Sequence, residues 1–206
     1  MCSFDVKSLF SNVPIVETIN SCLDNLYRSD EVSPPPIEEP VVKKLLLKCA
    51  QDVEFSFNNQ MYRQVDGVAM GSPLGPVLAN IFLGYCKSLI PEDQWPSLYS
   101  RFVNDTFSLF VGGKRMALEF MDLLNHLHPS LQFTMECKVD GKLPFMDVLV
   151  MRERSGFSTT VYRKPTATGL YSMWDSFCPT SQKFALIKSL VNRALKICSL
   201  SIWRMR

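Results

Sequence analysis

Residues 98–111 read Leu98-Tyr99-Ser100-Arg101-Phe102-Val103-Asn104-Asp105-Thr106-Phe107-Ser108-Leu109-Phe110-Val111, two β-rich runs that meet at a polar pair. Aromatic and β-branched side chains suit a pleated surface, and Asn and Asp suit tight turns, so the stretch predicts a hairpin with Asn104-Asp105 at its tip. Gly112-Gly113 closes it. A second acidic residue at a strand end stands near the beginning, where Cys2-Ser3-Phe4-Asp5-Val6 is strand-like and Asp5 leaves the run. If the two strands are neighbours, Asp5 and Asp105 converge. Carboxylates from adjacent strands are hard oxygen ligands for Mg²⁺, and two such ions stabilise attacking and leaving oxygens in phosphoryl transfer. The competing reading is that each aspartate bonds its own backbone at a turn. Taken alone, the residue pattern favours that plainer reading.

Working outward, Ile15, Ile19, Cys22, Leu23 and Leu26 recur at helical spacing behind Pro14, predicting a helix over 14–28. Ser33-Pro34-Pro35-Pro36 breaks the chain before a second amphipathic helix carrying Val41, Val42, Leu45, Leu46 and Cys49. Runs 53–57 and 61–65 alternate around Asn58-Asn59-Gln60 as another hairpin. A helix with Val77, Leu78, Ile81, Phe82 and Tyr85 on one face follows, and a further one with Ala117, Phe120, Met121, Leu124 and Leu127 comes after the polar-tipped hairpin. Residues 131–137, 143–151 and 157–162 read as strands, with Asp140-Gly141 as turn chemistry, and 181–197 as a last amphipathic helix. The predicted class is α+β: an antiparallel sheet covered on one face by helices, then a small helical segment.

The loop Gly67-Val68-Ala69-Met70-Gly71-Ser72-Pro73-Leu74-Gly75-Pro76 joins flexible glycines to a helix start. Free N–H groups there favour an anion such as a triphosphate. Glycine equally permits a connection that packs closely against its neighbours, and the residues leave both readings open.

Three segments occurring in order carry a resemblance. Ser3-Phe4-Asp5-Val6-Lys7-Ser8-Leu9-Phe10-Ser11-Asn12-Val13-Pro14, Gly67 to Asn80, and Arg101-Phe102-Val103-Asn104-Asp105 closely resemble the successive palm motifs of Penelope-like reverse transcriptases. Leu143-Pro144-Phe145-Met146-Asp147-Val148 resembles the family's segment beyond the palm hairpin, where reverse transcriptases grip the primer. Val161 to Thr166 and Arg193 to Ser199 resemble its small segment described as helix-turn-helix. The resemblance implies an RNA-directed DNA polymerase palm over 1–151 and a thumb-like basic segment over 152–206. It also implies two Mg²⁺ ions, an RNA template and a DNA primer.

Carried over by position, the resemblance makes Asp5 and Asp105 metal-binding carboxylates. It gives Phe10 the place whose ring excludes a ribose 2′-hydroxyl, and sets Gly71, Ser72, Pro73 and Leu74 against the incoming nucleotide and template base. Asn104 departs from it, because the family has an aspartate there. Losing one formal charge from a two-dication site is expected to cost on the order of a thousandfold or more in rate. Because the sequence opens on the run that resembles the first palm strand, the fingers region the family carries is expected to be absent. The expectation is therefore a fragment whose polymerase activity is impaired or lost. Its alternatives are a non-catalytic nucleic-acid-binding remnant and a decayed copy with no function.

Bulk properties set bounds on this. The 206 residues hold 22 Lys and Arg against 20 Asp and Glu, so composition alone suggests no nucleic-acid partner. The basic residues gather late, however: Arg152, Arg154, Arg163, Lys164, Lys183, Lys188, Arg193, Lys196, Arg204 and Arg206, near Tyr162, Tyr171 and Trp174. Of these, Arg163, Lys164, Lys188 and Arg193 are the expected nucleic-acid contacts, against the alternative of a solvated face. Seven scattered cysteines without a C-x-x-C spacing indicate neither a disulfide framework nor a zinc ribbon. His126 and His128, the only histidines, sit before Pro129 and read as a turn. No run is long and apolar enough for a membrane span, so the expected setting is soluble and intracellular, nuclear if the protein functions.

Overall fold

The computed structural model describes residues 1–30 and 33–199, and the statements below concern those residues. Arg204 and Arg206 of the late basic group lie outside them. The chain forms two compact units, Phe4–Met135 in one, and Met1–Ser3 with the residues from Glu136 onward in the other.

In the first unit the strands form by alternation. β1 (Cys2–Val6) buries Phe4 and Val6 and exposes Asp5. β5 (Asp105–Leu109) buries Thr106 and Ser108 and leaves Asp105, Phe107 and Leu109 half-buried. With a side-chain period of two, Asp5 and Asp105 fall on the same outward face of the sheet. The sheet order is β4-β5-β1-β6, with β4 spanning Leu98–Phe102 and β6 Phe133–Cys137. β4 and β5 are antiparallel from Leu98↔Leu109 to Phe102↔Asp105, leaving Val103 and Asn104 as a two-residue turn.

The inner face of the sheet packs through aromatic rings. Phe4 meets Phe110 edge-on at 6.1 Å and Phe120 at 5.8 Å, and Phe120 comes from the helix Lys114–His126. Burial of each such ring contributes about 1.5–3 kcal/mol. The helices in chain order are α1 (Leu9–Asn12), α2 (Ile15–Tyr27), α3 (Glu39–Ala50), α4 (Leu74–Ser88) and α5 (Lys114–His126). Ile19 and Leu23 of α2 and Leu78, Ala79 and Phe82 of α4 are fully buried where these helices pack. Arg28 and Tyr27 tie the end of α2 to the α3 side of the proline segment, through Glu39 at 3.1 Å and the Ile37 carbonyl at 2.6 Å.

Three features differ from the sequence reading. The antiparallel strands fall into three sheets. β2 (Glu54–Phe57) and β3 (Gln60–Arg63) stand as a separate hairpin, every residue of it exposed, turned by Asn58 and Asn59 at φ 49° and 59°. The run 143–151 is not one strand: Met146, at φ 53°, folds it into β7 (Lys142–Phe145) and β8 (Val148–Glu153), a left-handed position that hydrophobicity alone does not signal. Two short pieces also escaped the periodicity, α1 and a single 3-10 turn at Glu92–Gln94.

In the second unit β7, β8 and β9 (Gly156–Val161) form an antiparallel sheet, and α6 (Thr180–Ile197) is fastened to β9 at its C-terminal end. Thr159 donates its hydroxyl to the Ile197 carbonyl at 2.5 Å, and its carbonyl accepts the Ser199 N–H at 2.9 Å. The expected Asp140-Gly141 turn is present, with both residues at positive φ and Val139 paired to Lys142. Among the described residues no helix is long and apolar enough to cross a membrane.

Candidate nucleic-acid and metal site

The hairpin tip is held from three sides. Val103 has φ 53°, which a β-branched residue rarely adopts, and strain of this kind persists only where surrounding contacts over-determine it. Here Arg101 supplies the contacts: its guanidinium donates to the Val103 carbonyl at 2.8 Å and to Asn80 Oδ1 of α4 at 2.9 Å. The Asn104 carbonyl in turn accepts the Val6 N–H at 3.3 Å. The tip is thereby fixed against the end of β1, beside Asp5.

The Asn104 side-chain amide then donates to Asp5 Oδ1 at 2.7 Å. This is a charge-assisted bond, and it turns the NH₂ end of Asn104, not its oxygen, towards the carboxylate. A cation shared by the two residues needs oxygen from both. Asn104 thus meets Asp5 in the way a cation would, without one. Among the described residues no group of three or more His, Cys, Asp and Glu side chains is placed to hold a metal. With its nitrogen towards Asp5, Asn104 does not fit as an oxygen ligand to a cation held there.

The glycine loop divides by position. Gly67, at φ 70°, approaches α1 so closely that a Cβ would lie 2.5 Å from the Phe10 carbonyl, and the Val68 N–H donates to that same oxygen at 2.7 Å. Gly75 is likewise closed, since a Cβ there would lie 2.6 Å from the Ala69 carbonyl and 3.9 Å from the Phe10 ring. Both glycines serve close packing. Gly71 is exposed and a Cβ there would meet nothing within 4 Å, so of the three glycines in this loop it alone faces open space.

Ser72 occupies much of the helix start, its hydroxyl accepting the Leu74 N–H at 3.3 Å and its carbonyl the Gly75 N–H at 3.0 Å. Pro76 brings no N–H, so few first-turn donors of α4 remain for an anion. The structure therefore joins Phe10 to the glycine loop and Asp5 to Asn104, all within the unit Phe4–Met135.

The basic candidates lie in the other unit. Arg163 and Lys164 follow β9 and are exposed, while Arg193 of α6 pairs with Asp147 at 3.1 Å. Lys188 lies with Lys196 and Arg193 along a shallow depression of about 550 Å³, and does not line the cavity that Arg163 and Lys164 share with Arg193. Lys183 is already engaged, donating to the carbonyls of Trp174 and Ser176 with its ammonium over the Trp174 ring. The two histidines have different partners. His126 Nδ1 meets the Asp122 carbonyl at 2.6 Å, whereas His128 Nδ1 accepts the Ser130 N–H, which leaves Nε2–H to donate to Glu17 at 3.1 Å. Arg101 is the residue that pattern reading missed. An arginine within a β-rich run beside a turn was the available signal.

No protein-family model and no curated protein matches this chain. Solved structures do. Apo telomerase from Candida tropicalis, truncated from its C-terminal domain, is similar over 73% of this chain and 33% of its own, at TM-score 0.54 and 15% identity. Telomerase from Candida albicans, in complex with a TWJ fragment of telomeric RNA, is similar over 73% of this chain and 30% of its own, at TM-score 0.56 and 11% identity. At such identities the likeness is one of fold: a mixed α+β chain with antiparallel sheets resembling part of telomerase. The chain spans about a third of the length of these structures.

Proposed function

We propose that this chain is a palm and thumb-like part of a reverse transcriptase of the Penelope-like kind, impaired in nucleotidyl transfer at Asn104 and retaining nucleic-acid binding. The observation that carries the reading is the bond from Asn104 to Asp5: two positions of the ordered motifs, 99 residues apart, meet side chain to side chain. The fold likeness to telomerase supports the polymerase class. The motif resemblance supports the narrower family, with 1–151 as the palm and 152–206 as the thumb-like segment.

In this reading Asp5 and Asp105 are the surviving carboxylates, and Phe10, Gly71, Ser72, Pro73 and Leu74 border the nucleotide and template base. Mg²⁺ is the ion an intact site of this class uses to stabilise the oxygens of phosphoryl transfer. Here the Asn104 amide takes its place beside Asp5, and the chain's own residues are left to bind and orient a template and primer. Arg163, Lys164, Lys188 and Arg193 contact the phosphate backbone, which makes binding salt-dependent.

Primer extension on an RNA template with Mg²⁺ or Mn²⁺, run beside the Asn104→Asp variant, tests the catalytic half. The unmodified chain is expected to add no nucleotide, and incorporation by it overturns the reading. Binding to an RNA–DNA duplex tests the other half: replacing Arg163, Lys164 and Lys188 by glutamine is expected to weaken it and flatten its salt dependence. Affinity indifferent to these changes counts against a nucleic-acid role.

A further inference from the structure

A cavity of about 870 Å³ lies between the end of β9, the segment that follows it and the second half of α6, wholly within the unit that continues from Glu136. Its wall gathers Arg163, Lys164 and Arg193 against a single carboxylate among the described residues, Asp147. Arg193 spends one nitrogen on Asp147, while its Nε–H is buried with no acceptor. An unmet buried donor is unfavourable, and the Asp147 side chain is 68% exposed, so the pair that holds the guanidinium is a weak, screened one. A guanidinium fork satisfies two donors at once on two oxygens of a phosphate.

Three positive charges against one negative suit a phosphate monoester, which carries about −1.5 to −2 near pH 7, better than a diester with a single charge. Tyr162 and Tyr171 on the same wall offer ring faces for a base beside it. The volume is in the range of pockets that enclose a small ligand, whereas a backbone-tracking surface needs no enclosure.

We infer that this cavity binds one nucleotide by its phosphate monoester, as the 5′-phosphorylated end of a single strand or as a free nucleoside monophosphate. The inference rests on the nucleic-acid reading above for its choice of a nucleotide over other phosphates. Arg193 leaves Asp147 for the phosphate, and Asp147 is the competitor that holds the guanidinium while the site is empty.

The test is fluorescence anisotropy on the full chain with a labelled single-stranded oligonucleotide, 5′-phosphorylated or ending in a 5′-hydroxyl, with AMP and inorganic phosphate as competitors. The phosphorylated end is expected to bind about tenfold tighter, a difference that Arg193→Met abolishes, Asp147→Asn widens and the charge control Lys138→Gln leaves unchanged. Competition by AMP assigns the site to free nucleotides, and competition only by a phosphorylated strand assigns it to strand ends. Inorganic phosphate competing as well as AMP refutes the nucleotide. Should Arg193→Met fail to fold, Asp147→Asn decides, because an exposed residue changed to its neutral isostere must sharpen the preference. Duplex binding without any preference for a 5′-phosphate sinks the inference and spares the nucleic-acid reading. A preference with no duplex binding does the reverse.

Discussion

Asn104→Asp turns the candidate site into a thermodynamic switch for divalent cations. In the native chain the Asn104 amide donates to Asp5 at 2.7 Å, a bond to a charged acceptor that contributes about 1.5–3 kcal/mol. The substitution removes it and sets a second carboxylate at the same place. Two like charges about 4 Å apart repel by about 1 kcal/mol in bulk water and about 4 kcal/mol at the effective dielectric of a protein surface, and the exposure of Asp5 points to the lower part of that range. The variant should therefore lose at least about 2.5 kcal/mol in EDTA. For a chain of this size each kcal/mol moves Tm by about 2–4 °C. Because a cation that binds only the folded variant stabilises it by mass action, millimolar Mg²⁺ or Mn²⁺ should return most of the loss, while the native chain stays indifferent to either ion. High monovalent salt should recover part of it by screening. Differential scanning calorimetry of both proteins, in EDTA and with each ion, reads all of this. An Asp variant as stable in EDTA as the native chain, or one deaf to Mg²⁺, refutes the account of the site.

Val103→Asn should raise stability by about 1 kcal/mol, since a left-handed φ penalises a β-branched residue and suits asparagine; urea denaturation measures it. Gly67→Ala should cost at least about 2 kcal/mol, because its φ is positive and its Cβ would sit 2.5 Å from the backbone of α1, whereas Gly71→Ala should be nearly neutral; the same titration separates them. Burial pushes the Cys86 thiol from its ordinary 9.0 up to about 12. The unfolded thiol ionises first as pH rises, so stability holds below about pH 9 and falls between 9.0 and about 12, by at most about 1.4 kcal/mol per pH unit. Cys86→Ala should flatten that alkaline limb. At pH 8, iodoacetamide should label exposed Cys49 well before Cys86, as read by peptide mass.

Long periodic segments were legible from the sequence because burial alone dictates them. Ile15, Ile19 and Leu23 mark the buried side of α2 and occupy it, and Leu78 and Phe82 do the same in α4. What hydrophobicity does not encode was harder to see. Met146 turns the chain by a backbone angle that its side chain disfavours, so β7 and β8 read as one run. The β2–β3 hairpin alternates in sequence yet buries neither face, so its separation from the main sheet left no trace in its pattern. At the site, Asp5 was expected to approach the hairpin tip only if its strand and the hairpin were neighbours, which the β5-β1 pairing makes them. The chemistry there was not legible: which end of the Asn104 amide faces Asp5, and that Arg101 braces the turn, depend on contacts between residues far apart in the chain.

On the proposed reading, the same contacts account for how the arrangement around Asp5 persists with an asparagine at position 104. The core of the first unit, Phe4, Phe82, Phe120 and their neighbours, lies on the inner side of the sheet, and the Asp5 and Asp105 positions lie on the outer one. Changes on the outer face leave the core intact. Two carboxylates without a cation repel there, so a site built for two dications stores unfavourable energy in the folded chain. Replacing one carboxylate by an amide exchanges that repulsion for a hydrogen bond. If Asn104 stands where a carboxylate ligand stood, as proposed, the change that removes the ligand would also stabilise the fold, a trade between function and stability that needs no compensating change elsewhere.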